Sequence, residues 1–178
     1  MEISEKLSEL EKALKLSWSD DTSVDPDVWR NRNQRGCPYK ILQSIRKENS
    51  NRGFDPGYDA FIADRSFYKF IELFIYLKEN PVNSRAWGQG AVTALVVQDY
   101  LGGKLVQIPV SNIVGMSSHY YNELPDAKEI DLSKSQFDGL DVKFGEKTYI
   151  ERGYLLSPKF PQITKGYKLL RKRVSNLI

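Results

Sequence analysis

The sequence of 178 residues holds one cysteine and one histidine. No stretch of it approaches the roughly 20 apolar residues needed to span a membrane. With Cys37 alone an internal disulfide is excluded, so the chain suits a reducing compartment or is indifferent to redox state. The start, Met1-Glu2-Ile3-Ser4-Glu5-Lys6, lacks the basic opening and apolar run of a signal peptide, and a cytoplasmic protein is expected. A formal net charge of +3 is too small to argue for nucleic acid as the partner. Neither a metal nor another cofactor is expected. No internal repeat, low-complexity tract or interdomain linker breaks the chain. With 40% apolar and 12% aromatic residues it is read as one domain, 1–178.

The most informative stretch runs from Trp87 to Gly103. It opens with Gly88-Gln89-Gly90 and continues through Ala91-Val92-Thr93-Ala94-Leu95-Val96-Val97 with almost no polar side chain. A helix that is apolar on so many sides belongs in a core, and Gly102-Gly103 would end it. The free amides and positive dipole end of that helix then fall at residues 88–91.

Around this centre the periodicity is plain. Ile3, Leu7, Leu10 and Leu14 predict an amphipathic helix over 2–17. Short polar residues then open an irregular insertion at about 19–60, a candidate lid over a groove, with a helix predicted at 38–48 and a loop at 49–58. Residues 64–79 read as a further helix, so that 1–86 is mainly helical. After the central helix the period falls to two. Strands are predicted at 104–111, 117–123 and 128–133, and a short hairpin joins 142–144 to 148–150 across Gly145-Glu146. In 151–178 a closing helix carries the stripe Ile163, Tyr167, Leu170 and Val174, with Lys165, Lys168, Arg171, Lys172 and Arg173 on its other faces. The class is α+β: a central buried helix on an antiparallel sheet, flanked by N-terminal and C-terminal helices.

Three places supply candidate chemistry: Gln89 and Gly90 at the helix entrance, His119 in the second strand, and Asp131 in the third. If the intervening loop centres on Pro125, His119 lies directly across from Asp131, and the carboxylate orients the imidazole. A two-residue Asp126-Ala127 turn would place Asp131 opposite Asn122 instead. Ala127 ill suits the positive φ of that turn, which favours a longer loop or a bulge. Trp87, Tyr121 and Asn122 are candidates for the wall of a substrate groove.

Gly88-Gln89-Gly90-Ala91-Val92, the helix after it and the strand at 105–110 resemble the Gly-Gln-Cys segment, helix and strand of transglutaminases and their papain-like relatives. Ser118-His119-Tyr120-Tyr121-Asn122 and Asp131-Leu132-Ser133 are similar to the histidine and aspartate segments of the same superfamily. Residues 87–137, Tyr154-Leu155-Leu156-Ser157 and 167–174 more closely resemble the YunG-like family of small bacterial proteins. The resemblance implies a papain-like or transglutaminase-like fold. It also implies a thiolate at the helix N-terminus, a histidine that takes its proton, an aspartate that holds the histidine, and an oxyanion site at Gln89 and the residue 90 amide.

Where the pattern has cysteine, this chain has Gly90, and acyl transfer by the triad is not expected of it. Gly90 stands either in a naturally degenerate member or at a position from which the nucleophile has been removed. The first functional expectation is a silent domain that binds a peptide, protein or other amide-containing ligand near residue 90. The second is a cysteine-dependent hydrolase or acyltransferase whenever residue 90 is Cys. The third is a binder of nucleic acid or an acidic partner through the basic C-terminal helix. Plainer roles stand beside these: a structural histidine, a turn-forming Asp131, a helix-capping Gln89, core tryptophans including Trp18 and Trp29, and a Cys37 thiol at a helix start.

Overall fold

The apolar stretch after Gln89 is a helix in the computed structural model, which describes residues 3–19, 21–23, 72–73, 76, 79–80, 85–113 and 116–178. In chain order the described elements are α1 (Ile3–Ser17), α2 (Gly90–Leu101), β1 (Lys104–Pro109), β2 (Ser118–Glu123), β3 (Glu129–Ile130), a 3-10 turn (Lys134–Phe137), β4 (Thr148–Ile150), α3 (Arg152–Leu155) and α4 (Pro161–Val174). Four helices and one four-stranded antiparallel sheet make an α+β fold among the described residues. The helix expected at 38–48, the loop at 49–58, Trp29 and Cys37 lie outside those residues, as does nearly all of the insertion at 19–60. Within 64–79, Glu72, Leu73, Tyr76 and Glu79 are helical. No helix among the described residues is long and apolar enough to cross a membrane.

Residues 90–97 of α2 are all buried, as an all-round apolar helix requires. The helix touches α1 and α4 as well as β1 and β2. One cluster collects Leu10, Leu14 and Trp18 from α1 and its end, Val92, Leu95 and Val96 from α2, and Leu170 and Val174 from α4. Each such side chain removed from water contributes about 1.5–3 kcal/mol. The Trp18 indole donates to the Thr93 hydroxyl at 3.0 Å, fixing the end of α1 to α2. At the other end of α2, Arg152 donates to the Leu95 carbonyl and the Gln98 side chain and pairs with Asp99, a cation placed where the helix dipole is negative.

The strand order is β3-β2-β1-β4. The expected hairpin between 142–144 and 148–150 is not formed. Phe144 bridges to Val110, and β4 pairs with β1 through Leu105↔Ile150 and Val106↔Tyr149. Leu105 and Val106 are buried at the middle of the sheet, so their backbone groups need partners on both sides, and the later chain supplies the second side.

The third strand is shorter than expected, and its register differs. β2 pairs with β3 as Asn122↔Ile130 and Glu123↔Glu129, two residues along from the alignment that sets His119 opposite Asp131. The loop closes with the Ala127 amide donating to the Leu124 carbonyl and the Leu124 amide to Lys128, both at 2.9 Å. Ala127 itself takes φ 65°, a conformation its Cβ disfavours, as the bulged residue after the turn. The strand stops at Ile130 because Asp131 Oδ1 accepts from both the amide and the hydroxyl of Ser133, a local bond that replaces the ladder and leads into the 3-10 turn.

Two expected outcomes follow. Gly103 has φ +86°, and a Cβ there would lie 2.2 Å from the Glu123 carbonyl oxygen, so Gly103→Ala is expected to cost about 2–4 kcal/mol in urea unfolding. Burial, followed by the bond its hydroxyl donates to Asp99, raises the Tyr167 phenol above its ordinary range. A raised folded-state value adds stability that is whole below pH ~10 and is lost as pH climbs through that value. Tyr167→Phe should therefore be less stable by about 1 kcal/mol at pH 8, with the gap closing towards pH 11.

Candidate functional site

Gly90 is the first residue of α2, and Gln89 before it places no side-chain bond on the helix end. The first amides of α2 have no acceptor within the helix, and its positive end faces the strand that carries His119. A Cβ built on Gly90 would lie 2.9 Å from His119 Nδ1, 3.1 Å from Cε1 and 3.4 Å from the Tyr120 carbonyl oxygen. The imidazole therefore rests directly against the helix entrance.

His119 is only 3% exposed. Its Nε2 lies 2.7 Å from Asp131 Oδ2, so the expected pair forms although the two residues are not directly opposed. The physical reason is periodicity: a slip of two residues preserves the face, and Asp131 reaches His119 along the diagonal. A slip of one would have sent it to the far side. The second oxygen of Asp131 is held by Ser133, which fixes the carboxylate plane. The Phe137 ring meets His119 edge-on at 4.8 Å, and Tyr121 stacks beside it with centroids 6.5 Å apart. Burial, and then the nearby Glu129 carboxylate, raise the Tyr121 phenol above its usual value, so it stays protonated at neutral pH.

The other expected site residues divide. Gln89 is fully buried and donates to the Ser19 carbonyl at 3.0 Å, while its Oε1 has no partner. It ties the segment after α1 to the helix entrance, and it does not cap α2. Trp87 is 2% exposed and packs with Leu73, Tyr76, Ile113, Met116 and Leu140, so it is a member of a second core cluster rather than an open groove wall. Asn122 is likewise buried, and its Nδ2 donates to the Ala94 carbonyl at 3.0 Å, fastening β2 to α2 instead of lining a groove. Tyr121, half-buried, keeps its place beside the histidine.

Sequence reasoning missed Gln136. Its Nε2 is 3.2 Å from His119 Nδ1 and 3.0 Å from the Ser133 carbonyl oxygen. No motif marks it; the available signal was the Asp131-x-Ser133 turn, which folds the following residues back over the histidine. Among the described residues no group of three or more His, Cys, Asp or Glu side chains could hold a metal ion.

The family model described as YunG protein matches residues 77–178, which takes in α2, the sheet and the C-terminal helices. No curated protein and no solved structure matches the chain.

The carboxylate at 131 serves both the turn and the imidazole. Asp131→Asn replaces one accepting oxygen by an N–H donor, so it cannot serve both Ser133 and the ring, and it should lower the unfolding free energy by about 1–3 kcal/mol, read by urea denaturation at pH 7. An unchanged midpoint would show that the pair contributes nothing to the fold.

Proposed function

The chain belongs to the YunG family, and we propose that it is a catalytically silent, papain-like or transglutaminase-like domain that holds a peptide or other amide-containing ligand against the entrance of α2. One observation carries this reading: the imidazole is gripped by Asp131 through Nε2, while Nδ1 lies 2.9 Å from where a side chain at residue 90 would begin. A thiol at that position would have the helix dipole behind it and a base beside it, the two influences that make a thiolate available at neutral pH. Gly90 removes the nucleophile and leaves the remainder. A ligand carbonyl could then accept from the first amides of α2, as an oxyanion would in a catalytic relative.

The neighbouring reading, an active cysteine hydrolase or acyltransferase when residue 90 is cysteine, requires this geometry to open. A Cβ at 2.9 Å from Nδ1 is closer than a side chain tolerates, so the ring, buried and held by Asp131 and Gln136, has to shift to admit it. The reading that uses the basic C-terminal helix gains no such support. Arg171 pairs with Asp99, and Arg173 donates to the Ser17 carbonyl and the Ser19 hydroxyl, so two of its cations are already engaged inside the fold.

The test is alkylation of Gly90→Cys by iodoacetamide between pH 5 and 9, with Cys37 changed to serine. The new thiol should react with an apparent pKa well below the ordinary ~8.5, and His119→Ala should abolish that advantage. Millimolar glutaminyl peptide amide should slow the reaction by occupying the site. A thiol that titrates normally would sink the catalytic ancestry, and reactivity indifferent to any amide would sink the binding role.

A further inference from the structure

We infer that Gln136 is a positioning residue of this site: its carboxamide donates to His119 Nδ1 and fixes the imidazole in the tautomer that carries its proton on Nε2. The assignment follows from what each neighbour can accept or donate. A carboxamide presents two N–H donors on one atom and only acceptors on the other. The end of Gln136 that lies 3.0 Å from the Ser133 carbonyl oxygen must be the nitrogen, because the reverse orientation sets two acceptors face to face. That same nitrogen lies 3.2 Å from His119 Nδ1. With one hydrogen directed to Ser133 and the other to the ring, Nδ1 is the acceptor. The ring proton is therefore on Nε2, 2.7 Å from Asp131 Oδ2, where a carboxylate receives it. Three polar neighbours agree on one state of the imidazole.

This arrangement leaves Gln136 Oε1 buried with no partner, on a residue only 1% exposed. An unpartnered buried carbonyl is unfavourable by about 1–3 kcal/mol, which a methionine of similar length would avoid. The other end of the amide supplies what methionine lacks: among the described residues it makes the side-chain hydrogen bond to the ring nitrogen that faces Gly90. Asp131 orients the ring from one edge; on the other edge the Nδ1 lone pair accepts the Gln136 N–H, which keeps that nitrogen without a proton of its own, and a thiol at position 90 would have to take the lone pair over from the carboxamide. That step rests on the functional reading above, whereas the tautomer belongs to the chain as it stands.

The experiment is 15N NMR of the uniformly labelled chain with Gly90 in place. His119 is the one histidine of the sequence, so both ring-nitrogen signals are unambiguous. Above the pH at which the ring loses its second proton, Nε2 should carry the proton, Nδ1 should be bare, and a coupling across the hydrogen bond should join Nδ1 to the Gln136 side-chain nitrogen. Gln136→Met deletes the donor at similar volume; the coupling should vanish and the Nδ1 signal should move towards that of a free ring nitrogen. Gln136→Glu keeps the shape but accepts where the amide donates, and protons should appear on both ring nitrogens at a pH where the parent holds one. It also serves as the readable variant should the methionine form fail to fold, with thermal melts checking each. A proton on Nδ1 in the parent, or no coupling together with an imidazole spectrum unmoved in both variants, would overturn the inference. None of these readings depends on a thiol. An ordinary thiol in Gly90→Cys with the coupling intact removes the functional reading alone, and a missing coupling with an imidazole spectrum unmoved in both variants, beside a reactive thiol, removes this inference alone.

Discussion

A helix that is apolar on every side has no face to offer water, and the described fold is arranged around that requirement. Residues 90–97 are buried together, so α2 needs neighbours around its whole circumference. The sheet gives part of the cover through β1 and β2, and α1 and α4 give the rest. Because neighbouring elements must approach closely, the ends of α2 are constrained as tightly as its middle. Gly103 passes within 2.2 Å, at its would-be Cβ, of the Glu123 carbonyl, and Gly90 lies against His119. The candidate site is the N-terminal consequence of the same packing that fastens the C-terminal end with Arg152.

Burial also explains why the polar groups at that end are so fully interlocked. An imidazole removed from water requires partners for both nitrogens, and a carboxylate beside it requires bonds for both oxygens. Asp131 meets Nε2 and is itself satisfied by Ser133 at its other oxygen; Gln136 meets Nδ1. The turn that ends β3 and the constellation around His119 are thus one hydrogen-bonded unit, so the turn cannot change its conformation without releasing the ring.

Much of this was legible in the sequence, for identifiable reasons. The spacing of Leu10 and Leu14 and of Ile163, Tyr167, Leu170 and Val174 located α1 and α4, and the unbroken apolar run located α2, because burial writes itself into period and composition. The link between His119 and Asp131 was foreseen with the wrong register, and it survived because faces repeat every two residues. What stayed hidden depended on partners distant along the chain. Nothing local tells Thr148–Ile150 to join β1 rather than fold back on residues 142–144, nor tells Trp87 that Leu73 and Met116 will enclose it. Gln136 was invisible for a related reason: its role exists only after a side-chain bond has ended a strand.

The segment just after α1 carries a consequence for the order in which the molecule assembles. Trp18 reaches Thr93, Gln89 reaches the Ser19 carbonyl and Arg173 reaches the Ser19 hydroxyl, across separations of 75, 70 and 154 residues. In equilibrium terms the longest loop is hardly more demanding than the others, since doubling a loop adds only about 0.6 kcal/mol of closure entropy. In time the difference is larger, because contacts between distant parts of the chain form slowly and local ones form early. Helical contacts are local to α1, α2 and α4, whereas the surroundings of the α2 entrance require distant parts of the chain to meet at Trp18 and Ser19. The most chemically suggestive corner of this protein is thus the part whose contacts span the greatest lengths of chain.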